Sequence, residues 1–484
     1  MPANVVSRSL AEILGVWANK SGPLHRQLAD AIAQAIDRRD LLAGMRLPPE
    51  RTIAKDLAVS RTTVVTAFDR LKASGHLDAR QGAGTWVAKQ SRSMESRVPD
   101  NNVIASFGVR RLLRATSQEI PSLIEMAAAS FFEPIGVTDA LLEVASSNEL
   151  TGMGYLPFGH PRLREVVADH LTSRGVRTEP SQVLITTGVA QAMSLLASLF
   201  VPDGEPVVVE NPTWAGLLDV LRANGSRIWS VPVDDEGMAV EMLPDVISRS
   251  SAALIAVVPD FHNPTGAQLS LDRRRRLAAI VDRMQLPLIE NIALADLGVD
   301  ETERLPPIAS FSPDRWVITV GSWSKLVWAG LRVGWIRASE PTIAKLARRK
   351  AVSDNGTPII DQLVMANLMP HLDEIAVQRR AQTTALLASL TGSLTELLPS
   401  WSWRRPQGGL SMWVQLPHGT AYGFSQLALR HSVEFSPGPI FCHDDSHQNY
   451  LRLPFVAPEH VIEEGVRRLA EAWDSYETQA RFRH

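Results

Sequence analysis

Residues 322–332 read Ser322-Trp323-Ser324-Lys325-Leu326-Val327-Trp328-Ala329-Gly330-Leu331-Arg332. Just before them Val317, Ile318 and Val320 form an apolar run, which predicts a buried strand delivering the segment to a loop. A lysine amine beside a hydroxyl (Ser322) and a guanidinium (Arg332) suits pyridoxal phosphate (PLP), which needs an amine for a Schiff base and donors for its phosphate. A Ser-x-Ser-Lys string alone is more often a loop with a surface lysine. The reading therefore depends on what stands around it.

Four further segments stand in order along the chain. Thr187-Gly188-Val189-Ala190-Gln191 follows an apolar strand, Val183 to Ile185, and opens an apolar helix through Met193, Leu195 and Leu196. A glycine turn into a helix N-terminus is an anion site. Asn211-Pro212-Thr213-Trp214 places an aromatic ring after a strand end, where it serves either as a core residue or as a platform for a pyridine ring. Asn263-Pro264-Thr265-Gly266 follows the apolar run Leu254 to Val258; it is a turn, or a turn whose amide donates to a phenolic oxygen. Arg452, in Tyr450-Leu451-Arg452-Leu453, is a structural arginine or a bidentate partner for a carboxylate.

In this order and at roughly this spacing the segments resemble the fold-type I aminotransferases, from about residue 121 to the end. The resemblance implies Lys325 as the Schiff-base lysine, with Asn263 at the phenolic oxygen. Ser322, Arg332 and the Val189 and Ala190 amides would hold the phosphate, and Trp214 would stack on the ring. Tyr155, in Gly154-Tyr155-Leu156-Pro157-Phe158-Gly159, matches a tyrosine that reaches the phosphate of a neighbouring subunit, which implies a homodimer.

One element departs from that pattern. Where the family reads like Glu-Asp-Asp-x-Tyr, this chain has Glu290-Asn291-Ile292-Ala293-Leu294-Ala295-Asp296. The aspartate that protonates the pyridine nitrogen aligns with Asn291, and the tyrosine at the phenolic oxygen aligns with Leu294. An amide hydrogen-bonds a neutral nitrogen but supplies no countercharge, so carbanion chemistry is expected to be weak. A slip in the alignment would instead bring Glu290 or Asp296 to the nitrogen.

The first ninety residues follow other rules. Leu24, Leu28, Ile32 and Ile36 recur every fourth position, as on one face of a helix. Leu47-Pro48-Pro49-Glu50-Arg51 leads into a short helix with Ile53, Ala54 and Leu57 inward. Ser60 is a candidate N-cap for a second helix with a Val64, Phe68 and Leu71 stripe, which leaves Arg61, Thr62 and Thr63 at its exposed N-terminus. There a recognition helix meets base edges and phosphates. Two short strand patterns then flank Gln81-Gly82-Ala83-Gly84, a hairpin suited to a wing. This block is similar to the GntR-type winged helix-turn-helix, which implies duplex DNA as partner and Arg51, Ser60, Arg61, Thr62, Thr63 and Gly82 as its contacts.

Charge agrees: residues 1–90 carry 13 Lys+Arg against 8 Asp+Glu, whereas the whole chain has 49 against 52. A basic module on an acidic body suits DNA binding at one end. Residues 89–120 include a polar stretch without apolar periodicity, expected to be a linker between a reader (1–88) and an α/β body (121–484) with a mostly parallel sheet. The 484 residues exceed the usual single-core size, and 45% hydrophobic content supports large cores. The single cysteine, Cys442, excludes an intrachain disulfide framework and argues against a metal cluster. No leader or spanning segment is seen, so a cytoplasmic protein without membrane partners is expected.

A GntR-like reader joined to an aminotransferase-like body is the arrangement of the MocR subfamily of transcriptional regulators, which the whole chain resembles. That resemblance implies PLP as cofactor and PLP itself, an amine or an amino acid as effector. The departures at 291 and 294 favour a sensor with little turnover over an active aminotransferase that also binds DNA.

Overall fold

The computed structural model describes residues 10–15, 17–18, 22–37, 40–80, 84–88, 123–126, 132–150, 152–312, 316–444 and 446–481. The expected linker lies outside the described residues, as does Gly82 at the hairpin tip.

The reader comprises helices Leu10–Leu14, Leu24–Asp37, Glu50–Asp56 and Arg61–Ala73, then a hairpin of β1 (Leu77–Arg80) and β2 (Gly84–Val87). Its core collects the predicted stripes: Leu28, Ile32 and Ile36 from one helix, Ile53 and Leu57 from the next, and Val64, Phe68 and Leu71 from the recognition helix. Ser60 starts that last helix by accepting from the Thr63 amide at 3.1 Å. Such a cap contributes about 1 kcal/mol.

Past the reader, β3 (Ile124–Met126) joins the smaller of two body sheets. The larger sheet uses β4 (Val183–Thr186), β5 (Pro206–Asn211), β6 (Arg227–Asp234), β7 (Gly237–Met238), β8 (Leu254–Val257), β9 (Leu288–Asn291), β10 (Val317–Ser322) and β11 (Gly334–Arg337). Its order is β4-β11-β10-β9-β8-β5-β6-β7, with β11 and β7 antiparallel to their neighbours and the other pairings parallel. The central strands are apolar on both faces, as in Leu254-Ile255-Ala256-Val257 of β8, because helices cover both sides. Register sets Thr186, Gly334 and Ser322 in one row, so the turns after β4 and β10 and the turn before β11 meet at one edge. Ligands bind at such strand ends in open α/β sheets.

The second sheet, β12 (Ser402–Trp403), β13 (Ser411–Gln415), β14 (Val433–Pro437) and β15 (Tyr450–Pro454) with β3, runs in the order β12-β13-β15-β14-β3. Helices Leu372–Leu397, Ala421–Arg430 and Glu459–Arg481 bury Leu390, Phe424 and Trp473 against it. No helix among the described residues is long and apolar enough to cross a membrane.

Candidate cofactor site and DNA-reading surface

The edge row just described assembles a cradle for an anion. Gly188 caps the helix Val189–Phe200 with φ +118°, and a Cβ on Gly334 would stand 2.6 Å from its Cα, so two backbones meet where no side chain fits. Arg332, in the left-handed region at φ +43°, donates from Nη2 to the Thr187 carbonyl at 2.6 Å, which holds its guanidinium against the start of this helix. The Ser322 hydroxyl bonds the Val333 carbonyl at 2.9 Å and the Ser324 hydroxyl at 2.9 Å. Two glycines, one guanidinium and paired hydroxyls at a helix N-terminus fit a phosphate.

Beside the cradle is a cavity lined by Phe261, His262, Asn263, Leu294, Lys325, Leu410, Ser411, Arg452 and Pro454. The loops after β8 and β10 and the strand β15 thus bring together three predicted residues separated by up to 189 positions: Lys325, Asn263 and Arg452. Arg452 donates from Nη1 to Asn263 Oδ1 at 3.2 Å and from Nη2 to Ser436 Oγ at 3.4 Å, with its guanidinium 4.9 Å above the Phe441 ring. His262 was not anticipated from the sequence. It is buried, its Nδ1 stands 2.9 Å from Thr265 Oγ1, and its Nε2 faces Glu210 at 3.4 Å.

Asn291 ends β9 opposite Val320 of β10, and its Oδ1 accepts from the Ala293 amide at 3.1 Å. That assignment presents the side-chain NH2, a donor, as its remaining end. Neither nearby carboxylate can take over its position. Glu290 faces away by strand alternation and accepts from the Ile308 amide at 2.6 Å, the Ala309 amide at 3.2 Å and the Thr319 hydroxyl at 2.8 Å. Complete burial raises its carboxyl above the usual range despite those bonds. Asp296 is partly buried, which opposes its charge, but Arg174 and Arg304 outweigh that and hold its carboxyl low. Both carboxylates that an alignment slip would recruit are thus engaged by other partners, and Leu294 lines the cavity.

Trp214 is the N-cap of the helix Ala215–Ala223, half-buried, with its ring over Gly216 and against the core that includes Leu184 and Met193. Tyr155 is not among the residues lining the cavity and is 68% exposed; Leu142 and Met153 are exposed as well. Nearby, a Cβ on Gly154 would stand 3.9 Å from Ile359, which starts the helix Ile359–Leu368 that packs on Val137–Ser146.

On the reader, Arg51, Arg61 and Thr62 are exposed, and Arg61 pairs with Glu50 at 3.2 Å. Thr63 differs from expectation: it is half-buried and its hydroxyl lies 2.8 Å from Ser60 Oγ, within the cap. Thr66, four residues after Thr62 and exposed, extends the same face; the i, i+4 spacing signals it.

The reader packs on the smaller sheet's helix Ala421–Arg430. Arg430 donates to the carbonyls of Leu57 at 3.1 Å and Ala58 at 3.3 Å, the turn between the two reader helices, where Ala58 has φ +49°. Its guanidinium also lies 5.9 Å from the Trp17 ring centre. Tyr422 is part of the reader's core, and Ile440, beside Phe441, packs against it.

Comparison with known proteins gives two family matches: "Aminotransferase class I and II" over residues 128–469, and "Bacterial regulatory proteins, gntR family" over residues 24–87. The chain is 28% identical over 471 residues to the uncharacterized HTH-type transcriptional regulator YdfD of Bacillus subtilis, covering 93% of this chain and 96% of that one. It is 31% identical over 332 residues to the probable rhizopine catabolism regulatory protein MocR of Rhizobium meliloti, covering 65% of each. Among solved structures, LysN, the α-aminoadipate aminotransferase of Thermus thermophilus complexed with N-(5'-phosphopyridoxyl)-L-leucine, superposes with a TM-score of 0.72 at 28% identity, covering 79% of this chain and 99% of that one. With a GntR reader ahead of a PLP-dependent aminotransferase fold, the chain belongs to the class I and II aminotransferase family and has the arrangement of the MocR subfamily of GntR-type regulators.

Proposed function

We propose that the chain is a DNA-binding transcriptional regulator whose PLP-holding body senses an amino compound, or the coenzyme itself, with little or no turnover. The observation that carries this reading is the amide of Asn291 at the end of β9, with both neighbouring carboxylates committed elsewhere. PLP, when bound, supplies an electron sink whose strength depends on a protonated ring nitrogen. An amide donor stabilises the unprotonated nitrogen and gives the protonated one no countercharge. Lys325 provides the attaching amine, Ser322, Arg332 and the Val189 and Ala190 amides the phosphate donors, Asn263 the donor to the ring oxygen, and Trp214 a stacking face. Arg452 receives a carboxylate, so an amino acid is the favoured effector.

The remaining assignments belong to the same proposal. Residues 1–88 read duplex DNA through Arg51, Ser60, Arg61, Thr62, Thr63 and Gly82, residues 89–120 connect, and residues 121–484 sense and dimerise in the cytoplasm. The exposed apolar side chains Leu142, Met153 and Tyr155 support a homodimer in which Tyr155 reaches the neighbouring phosphate. Ser436 and Phe441 link Arg452 to elements next to the reader, and Arg430 grips the reader's turn, a route by which effector binding biases DNA binding. A second reading, an active aminotransferase with a DNA-binding domain, is supported by Lys325, Asn263 and Arg452 around one cavity.

The test is a single-turnover measurement on PLP-loaded protein with a panel of amino acids, read alongside operator affinity. Spectral perturbation and altered operator affinity without conversion to pyridoxamine phosphate is the expected result. Rapid conversion would overturn the sensor reading in favour of the enzyme.

A further inference from the structure

Behind the phosphate cradle lies a partly buried polar chain, none of whose residues lines the cavity. The Thr187 amide donates to Gln191 Oε1 at 2.9 Å, and Gln191 Nε2 donates to Asp354 Oδ2 at 2.7 Å. Asp354 in turn receives both of its oxygens' bonds from Lys350 Nζ, at 2.8 and 2.6 Å, and the Gly356 amide at 3.0 Å. Lys350 is completely buried, so its charge is balanced only by a well-placed carboxylate. That carboxylate is held at the end of the helix Glu340–Asp354 and is not free to turn.

Thr187 is therefore gripped from two sides, its amide by Gln191 and its carbonyl by Arg332 at 2.6 Å. This matters because Val189 and Ala190 offer a phosphate no polar side chain, only backbone amides. Amide donors bind an anion well only when their direction is fixed beforehand.

Resting on the PLP site described above, we propose that Gln191, Asp354 and Lys350 form a positioning set for the coenzyme phosphate, orienting the Thr187–Ala190 turn without touching the ligand. A set that acts through the phosphate cup must discriminate between PLP and pyridoxal, which lacks the phosphate, whereas general damage to the fold would weaken both.

The experiment titrates the full-length protein, stripped of coenzyme, with PLP and separately with pyridoxal, following the absorption band of the attached lysine. Gln191→Met keeps the side-chain length and removes both bonds. It is expected to raise the PLP dissociation constant about three- to tenfold, the factor one net hydrogen bond supplies, and to leave pyridoxal unchanged. Asp354→Asn, which leaves Lys350 without its countercharge, is expected to weaken PLP further; its melting curve without coenzyme reports whether it folds, and Gln191→Met decides the matter if it does not. Equal losses for PLP and pyridoxal, or no loss for either, would overturn the positioning role. Failure of the unsubstituted protein to take up PLP would overturn the PLP site itself and this proposal with it.

Discussion

Arg452 Nη1 donates to Asn263 Oδ1 at 3.2 Å, joining the residue expected to take a carboxylate to the one expected to face the ring oxygen. On the proposed assignment an arriving carboxylate would compete with that amide for the guanidinium, which would link effector binding to the donor at the ring oxygen.

Arg452→Lys keeps the charge but loses the planar fork and the geometry that reaches Asn263. Affinity for a carboxylate effector is expected to fall about ten- to a hundredfold, the range for a charged hydrogen bond. The lysine-bound PLP band should stay. Titration of that band with amino acids measures both.

Asn291→Asp places a carboxylate at the end of β9. Conversion of PLP to pyridoxamine phosphate by amino acids is expected to quicken at least tenfold, since one pKa unit at the ring nitrogen is worth about 1.4 kcal/mol. Stopped-flow absorbance follows it directly. An unchanged rate would show that the ring nitrogen does not limit the chemistry.

Arg61→Ala should weaken operator binding by about 1–3 kcal/mol if it meets a base edge, and reduce the salt slope by about one if it meets a phosphate. Its pair with Glu50 is exposed, so the fold should lose less than about 1 kcal/mol. Fluorescence anisotropy at several salt concentrations separates the cases, with the PLP band as the control.

His170 predicts a pH dependence of stability. Burial pushes its imidazole down from 6.5 to about 4. Above pH 6.5 both folded and unfolded forms are neutral there, and its full contribution is present. As pH falls, the unfolded chain takes up the proton first, so stability is lost progressively between about 6.5 and 4. The loss at pH 5 should be about 2 kcal/mol. Urea midpoints at pH 7 and pH 5 measure it, and His170→Gln should remove most of the difference.

What could be read ahead of the structure were features set by local rules: strands closed by glycine turns, a capped recognition helix with a period near four, and the order of motifs at strand ends. What could not were partners brought together by topology. Lys350 follows Arg348 and Arg349 and reads as one of a solvated run, yet it is fully buried because Asp354 stands one turn on. Gln191 reads as an ordinary helix residue until its neighbours are known. Glu290 and Asn291 differ by one position, and only the strand's pleat, which turns Glu290 toward Thr319, separates their surroundings.

Tyr422 seated in the reader's core has a consequence for transplantation. The DNA-reading end is not a detachable cassette: one of its core side chains is Tyr422, and the guanidinium that satisfies its turn comes from 372 residues further along the sequence. Excised alone, it would carry a hole where a phenol ring belongs and two carbonyls facing solvent at the bend that aims its recognition helix. A chimera that exchanges readers between such regulators would have to carry the matching surface of helix Ala421–Arg430 along with it.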